Sequence, residues 1–266
     1  MDLFQAVVLA LIQGLTEFIP VSSSAHLILP AQLLQWPDQG LAYDVAVHFG
    51  SLLAVIIYFR RDLRAMTHAW FGRLLGDHSP ALRADAQLAW MTLMATLPAL
   101  VVAGLCNDLI AQNLRSTVVI ACATIAFGLL LGVAEWHSRR SSPIAITWFI
   151  AMAVGLAQVL ALVPGTSRSG ITITVAVLLG LSRTDAARFS FLLSIPLIAA
   201  ATLFELTELV AARISYSWST LLIGLCVSGV SAYACIGVFL RLLERVGFMP
   251  FVWYRLALGI ALLTML

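Results

Sequence analysis

Charge is what this 266-residue sequence has least of: 11% of its residues are Asp, Glu, Lys or Arg, where a soluble domain carries about a quarter. Coupled with 61% hydrophobic residues and a mean hydropathy of +1.00, that scarcity excludes a soluble fold and indicates a polytopic membrane protein. No basic cluster of the kind that grips a phosphate backbone is present, so nucleic acid is not an expected partner. Cysteine is sparse too. Cys106, Cys122, Cys226 and Cys235 show no CxxC or Cys/His ligand spacing and mostly lie in apolar runs, so neither a disulfide framework nor a structural zinc is expected. No basic stretch precedes the first apolar run, and Met1-Asp2-Leu3 leads straight into it. A cleavable signal peptide is therefore not expected. Without a linker or a low-complexity segment, residues 1–266 read as one polytopic domain.

A full crossing needs roughly 20 apolar residues. Six runs reach or approach that length: Tyr43 to Phe59, Ala86 to Leu105, Ser116 to Ala134, Phe189 to Phe204, Trp218 to Leu240 and Met249 to Leu266. Four others form two pairs, Leu3 to Ile19 with Ala25 to Leu34, and Ile144 to Val163 with Ile171 to Leu181. A proline and a polar cluster interrupt each pair, and its second member is too short to cross. Irregular backbone at membrane depth survives only where it is buried in protein or lines a wet cavity. Each pair is thus expected to be a re-entrant hairpin.

With the N-terminus outside, the inside loops hold Arg60, Arg61, Arg64, Arg73, Arg83, Arg139, Arg140, Arg183, Arg188, Arg241 and Arg245, and the outside loops only Arg115 and Arg213. Eleven against two satisfies the positive-inside rule and places both termini outside. Each half, roughly 1–140 and 141–266, contains one hairpin and three spans, an odd number, so the second half is inverted relative to the first. The expected fold is an all-α integral membrane protein with six transmembrane helices plus two re-entrant helix hairpins in an inverted repeat. Faint echoes accompany it: Pro20-Val21-Ser22-Ser23-Ser24 against Pro164-Gly165-Thr166-Ser167-Arg168, and Phe49-Gly50-Ser51-Leu52-Leu53 against Phe189-Ser190-Phe191-Leu192-Leu193. Inverted repeats with broken helices set their site near the midplane, where the tips meet. The loop from Arg60 to Asp85 reads as a solvated connector.

Both tips carry chemistry that packing does not need. At the first, Gln13 and Glu17 share a helical face. Pro20 ends that helix, and Ser22-Ser23-Ser24 offer N-caps for a second helix whose start suits an anion. His26 lies one turn after Ser23, close enough for a Ser–His contact; the alternative is a histidine bonded to a neighbouring carbonyl. The second tip reads Pro164-Gly165-Thr166-Ser167-Arg168-Ser169-Gly170-Ile171-Thr172, with Gly155 and Gln158 upstream. A guanidinium at this depth is costly without an anion or cavity, and its planar fork suits phosphate. Arg168 and Thr172, four apart, can face one ligand. Arg168 could instead be a strut paired to Glu17. A phosphate ligand with a divalent cation on Glu17 would complete the charge balance. His48 either lines the cavity or bonds a neighbouring helix. Tyr254 and Arg255 are expected to snorkel to the interface, and Gly224, Gly229 and Gly259 to be helix-packing positions.

The segments Gly14 to Leu29 and Pro164 to Thr172 resemble the two signature motifs of the bacterial undecaprenyl-diphosphatase family, the bacitracin-resistance type: (E/Q)xxxE followed by a Ser-rich turn and a His, and PGxSRSxxT. The resemblance covers nearly the whole span pattern. It implies a phosphatase that converts undecaprenyl diphosphate to undecaprenyl phosphate, recycling the carrier for peptidoglycan synthesis. Residue by residue, Glu17, Ser23, His26 and Arg168 take catalytic positions and Gln13, Ser22, Ser167 and Thr172 binding positions. Gln13 takes the amide option, so one carboxylate is supplied there instead of two, and Ala25 stands where relatives often have Gly. The resemblance also implies a divalent cation, Mg2+ or Ca2+, held by Glu17; a site facing the periplasm from the bacterial inner membrane; and homodimers. Ser23, His26 or a water could attack the phosphorus. A transporter of phosphorylated polyprenyl lipid using the same anion site is the alternative.

Overall fold

The computed structural model describes residues 1–36, 39–77, 79–114, 116–140, 142–212 and 217–264. Arg115 and Arg213, the two arginines assigned to outside loops, lie outside that set. The described chain folds into eleven α-helices: α1 Leu3–Thr16, α2 Ser23–Leu34, α3 Leu41–Tyr58, α4 Arg60–Leu74, α5 Pro80–Asn113, α6 Thr117–Ser138, α7 Trp148–Gln158, α8 Arg168–Leu178, α9 Arg183–Ala212, α10 Trp218–Val246 and α11 Met249–Thr264. Five of them (α3, α5, α6, α9 and α10) contain a stretch long and apolar enough to cross a membrane. This is an all-α integral membrane protein.

Of the sixth expected span, Met249–Leu266, the described part is α11, 16 residues or about 24 Å of helix; residues 265 and 266 lie outside the description. The two interrupted pairs are broken helices as expected. α1 has 14 residues and α2 has 12; α7 continues through a 3-10 turn, Val159–Leu162, before the chain breaks and restarts as α8. None of these four helices, at about 17–21 Å each, matches a hydrocarbon layer about 30 Å thick.

The connector from Arg60 to Asp85 is corrected as well. Much of it is α4, an amphipathic helix that buries Met66 and Ala69 and packs on α5, while Arg60, Arg61 and Arg64 stay at the surface. Polar composition misled here, since two apolar residues three apart suffice to seat a short helix.

Each broken helix is seated by a glycine. A Cβ on Gly14 of α1 would lie 2.5 Å from the Ser228 carbonyl of α10, and one on Gly155 of α7 would lie 2.2 Å from the Ala95 carbonyl of α5. Such close backbone approach is how helices gain packing contact where lipid offers no hydrophobic drive. Gly224 and Gly259 also sit at helix contacts, against Tyr43 and against Ala121 and Ile125. Beneath the tips, Phe18, Phe59, Phe191 and Phe239 form a chain of ring contacts, with centroids 5.4 Å apart for Phe18–Phe191 and 5.8 Å for Phe191–Phe239. At the arginine-rich end the buried Glu135 carboxylate takes two bonds from Arg183, at 2.9 and 2.7 Å, and one from Arg139 at 3.1 Å. The Phe248 N–H adds a fourth at 3.3 Å, which ties α6 and α9 to the start of α11.

Candidate active site

The two tips meet. α1 releases the chain at Thr16, and Ser22, the residue before α2, holds a left-handed φ of +75°. Ser167 occupies the same place before α8 with φ +69°. The structural match between the tips is therefore Ser22 with Ser167, one position from the Ser22–Thr166 alignment the sequence suggests. Their capping differs. Ser167 Oγ accepts from Gly170 N–H at 3.1 Å, as expected of an N-cap, whereas Ser22 makes no side-chain cap and pairs with Ser24 Oγ at 3.1 Å. Gly165, at φ +92°, passes so close to α6 that a Cβ would sit 2.3 Å from the Ile120 carbonyl. Only glycine can make that turn there.

Glu17 is the centre of the site. Its Oε1 takes the Arg168 Nη2–H bond at 3.0 Å, and its Oε2 accepts from Gln13 Nε2 and from Ser23 Oγ, both at 3.0 Å. Arg168 and Glu17 are about one-tenth exposed. The other end of the Arg168 fork is fixed, with Nη1 donating to the Ser190 carbonyl at 3.1 Å and the guanidinium carbon 5.7 Å from the Phe18 ring centroid. Four sequence-selected residues, Gln13, Glu17, Ser23 and Arg168, thus form one cluster.

His26 is not in it. Its Nδ1 lies 2.7 Å from the Ser22 carbonyl, which can only accept, so Nδ1 carries a hydrogen; in the neutral ring Nε2 then accepts from the Tyr254 hydroxyl at 2.6 Å. The Ser23–His26 contact that their spacing allows is replaced by Ser23–Glu17 and His26–Tyr254. Thr172 also differs from expectation. It is fully buried, and its hydroxyl meets the Arg168 carbonyl at 2.8 Å and Ser190 Oγ at 2.7 Å, so it braces the arginine's helix instead of facing a ligand with Arg168. His48 bonds its own helix, at the Asp44 carbonyl (2.8 Å), and lies within electrostatic range of Glu17.

The largest correction concerns Arg255, which does not snorkel; Tyr254 beside it is half-exposed, with its hydroxyl bonded to His26. Arg255 is wholly buried. It donates to Pro20 O of the first tip (3.3 Å), to Gly165 O (3.0 Å) and Thr166 O (2.9 Å) of the second, and to Thr124 O of α6 (3.1 Å). Ser169 Oγ adds a bond to the Ile19 carbonyl at 2.9 Å. Arg255 therefore bolts the tips together. The signal that singled out Arg168, a guanidinium inside an apolar run, is present for Arg255 as well; its place near a helix start hid it. Ser190, in an unremarkable apolar span, gives no comparable signal.

A divalent cation can be tested against these residues. Among the described residues no three His, Cys, Asp or Glu side chains gather to hold a metal by themselves. Beside the Glu17 carboxylate, however, Gln13 Oε1 is buried and unpartnered, a neutral oxygen ligand next to an anionic one. That donor set fits a hard cation completed by phosphate oxygens and water. Gln158, three residues after Gly155 as Glu17 is after Gly14, is buried with neither amide atom partnered.

The comparisons with known proteins agree with these motifs. A family described as bacitracin resistance protein BacA matches residues 6–261. An undecaprenyl-diphosphatase of Alcanivorax borkumensis is 54% identical over 264 residues, covering 99% of this chain and 98% of the relative. Proteins of the same name from Thioalkalivibrio sulfidiphilus, 54% identical over 99% of this chain and 98% of the relative, and Hahella chejuensis, 52% identical over 100% and 99%, are similarly close. Matched by that family from near its first residue to near its last, the chain belongs to the bacitracin resistance protein BacA family.

Proposed function

We propose that this protein is an integral membrane phosphatase that hydrolyses undecaprenyl diphosphate to undecaprenyl phosphate and inorganic phosphate, returning the lipid carrier to peptidoglycan synthesis and conferring bacitracin resistance. The observation that carries the reading is the Ser23 hydroxyl donating to Glu17 Oε2 at 3.0 Å beside the Arg168 guanidinium. A nucleophile, its base and an anion clamp lie within one cluster. The relatives' shared name supports the substrate.

Glu17 takes the Ser23 proton as Ser23 Oγ attacks the distal phosphorus. The new Oγ–P bond forms as the bond to the bridging oxygen breaks, and undecaprenyl phosphate leaves. The departing undecaprenyl phosphate takes the proton from Glu17, so Glu17, a carboxylate again, accepts a proton from the water that attacks the seryl phosphate and passes it to Ser23 Oγ as phosphate departs. Arg168 moves Nη2 from Glu17 to the phosphoryl oxygens while Ser190 keeps Nη1 fixed, so the fork is preset for the equatorial charge. His26, held between Ser22 and Tyr254, shapes the turn that presents Ser23. Glu17 and Gln13 Oε1 would hold a divalent cation, Mg2+ or Ca2+, which neutralises diphosphate charge when bound. The prenyl tail lies between helices facing lipid. The resemblance to the family supports a site open to the periplasmic side of the bacterial inner membrane. Transport of the lipid, the rival reading, gives the Ser23–Glu17 contact no role.

Purified protein supplied with undecaprenyl diphosphate tests the proposal. Phosphate release is expected, lost with chelator and restored by Mg2+ or Ca2+. No release in the presence of either cation would overturn it.

A further inference from the structure

Away from the tips, α6 and α11 leave a cleft of about 590 Å3 between them. Its walls are apolar, with Leu129 and Val133 from one helix and Val252 and Leu256 from the other. Trp136 and Trp253 stand at it, one from each helix and both largely exposed. Arg139 lines the same end, 58% exposed, and the Arg140 guanidinium lies 3.8 Å from the Trp136 ring centroid. Glu135 is the acid at the cleft, held by two nitrogens of Arg183, by the Phe248 N–H and by Arg139 through its Nε alone, so one carboxylate faces the three arginines Arg139, Arg140 and Arg183. The rim therefore keeps a positive surplus. Tryptophan settles at headgroup depth, and arginine there draws anionic headgroups.

We propose that the α6–α11 cleft binds an anionic phospholipid, one acyl chain against Val133, Val252 and Leu256 and the phosphate between Arg139 and Arg140. The cleft is separate from the catalytic cluster: on α11, Val252, Trp253 and Leu256 line it, whereas Tyr254 and Arg255 reach the tips.

The test is retention of lipid by delipidated protein offered equal phosphatidylglycerol and phosphatidylcholine, read by native mass spectrometry. Wild type should retain phosphatidylglycerol preferentially, each arginine contributing about fivefold. R139Q/R140Q should erase the preference, and Trp253→Ala should weaken retention of both lipids. Arg140→Gln, a change outside the Glu135 cluster, should lose about half of the preference on a logarithmic scale and serves if the double variant fails to fold. As a control for general attraction to negative surfaces, R60Q/R61Q/R64Q on α4 should leave the preference intact. Phosphatidylglycerol should also raise the melting temperature of wild type but not of R139Q/R140Q. Equal retention of both lipids by wild type, or a preference that survives in R139Q/R140Q and vanishes in the α4 variant, would overturn the proposal.

Discussion

Replacing Arg255 by methionine is the perturbation that separates assembly of the site from its chemistry. Methionine fills much of the volume yet takes away the charge and every donor. The Pro20 and Thr166 carbonyls then lose the donor that Arg255 gives them. An orphaned buried acceptor costs about 1–3 kcal/mol, so the two together cost about 2–6 kcal/mol while the tips remain joined. Whole domains are stable by only about 5–15 kcal/mol. The tips should therefore separate while the spanning helices persist. Glu17 and Arg168 come from opposite tips, so turnover should fall at least about 100-fold, the order of losing one oriented charge donor. Phosphate release and thermal melting in detergent should both drop, with far-UV helicity unchanged. Arg255→Lys should rescue neither, because one ammonium cannot span carbonyls on both tips and α6. Wild-type turnover and melting in Arg255→Met would refute the clamp.

Three further outcomes follow from the same geometry. Arg168→Lys should preserve the fold and reduce turnover about 10²–10³-fold, while Ser190→Ala, which keeps the carbonyl but frees Thr172, should raise KM more than it lowers kcat; near-normal Arg168→Lys would make Arg168 a strut. Tyr254→Phe removes the partner of His26 Nε2 and should slow turnover less than Ser23→Ala does; equal losses would put His26 in the chemistry. A cysteine at Arg73 should react only from the cytoplasmic side and one at Ser217 only from outside, and labelling of both from one side would overturn the orientation.

The fold was legible because hydropathy and run length are local properties. The two short second arms, each behind a proline and a serine cluster, announced the broken helices. Glu17 and Arg168 were legible for an equally simple reason, since a charge inside an apolar run has few innocent explanations. What stayed hidden depends on where side chains point across the fold. Spacing along one helix permits Ser23 and His26 to meet; only the packed structure shows Tyr254 of α11 drawing the imidazole away and Glu17 receiving the serine. Thr172 shares a face with Arg168, yet α9 covers that face with Ser190. Arg255 sat at a helix start, where snorkelling is the ordinary behaviour; that the carbonyls of two broken helices converge on it is invisible in a one-dimensional pattern.

Covalent attack by Ser23 is most directly tested by the stereochemical course at the distal phosphorus, followed with a substrate made chiral there by sulfur and oxygen isotopes. Two successive in-line displacements, first by Ser23 and then by water, predict net retention of configuration in the released phosphate. Net inversion would mean that water attacks in a single step, and would contradict a seryl phosphate on the pathway.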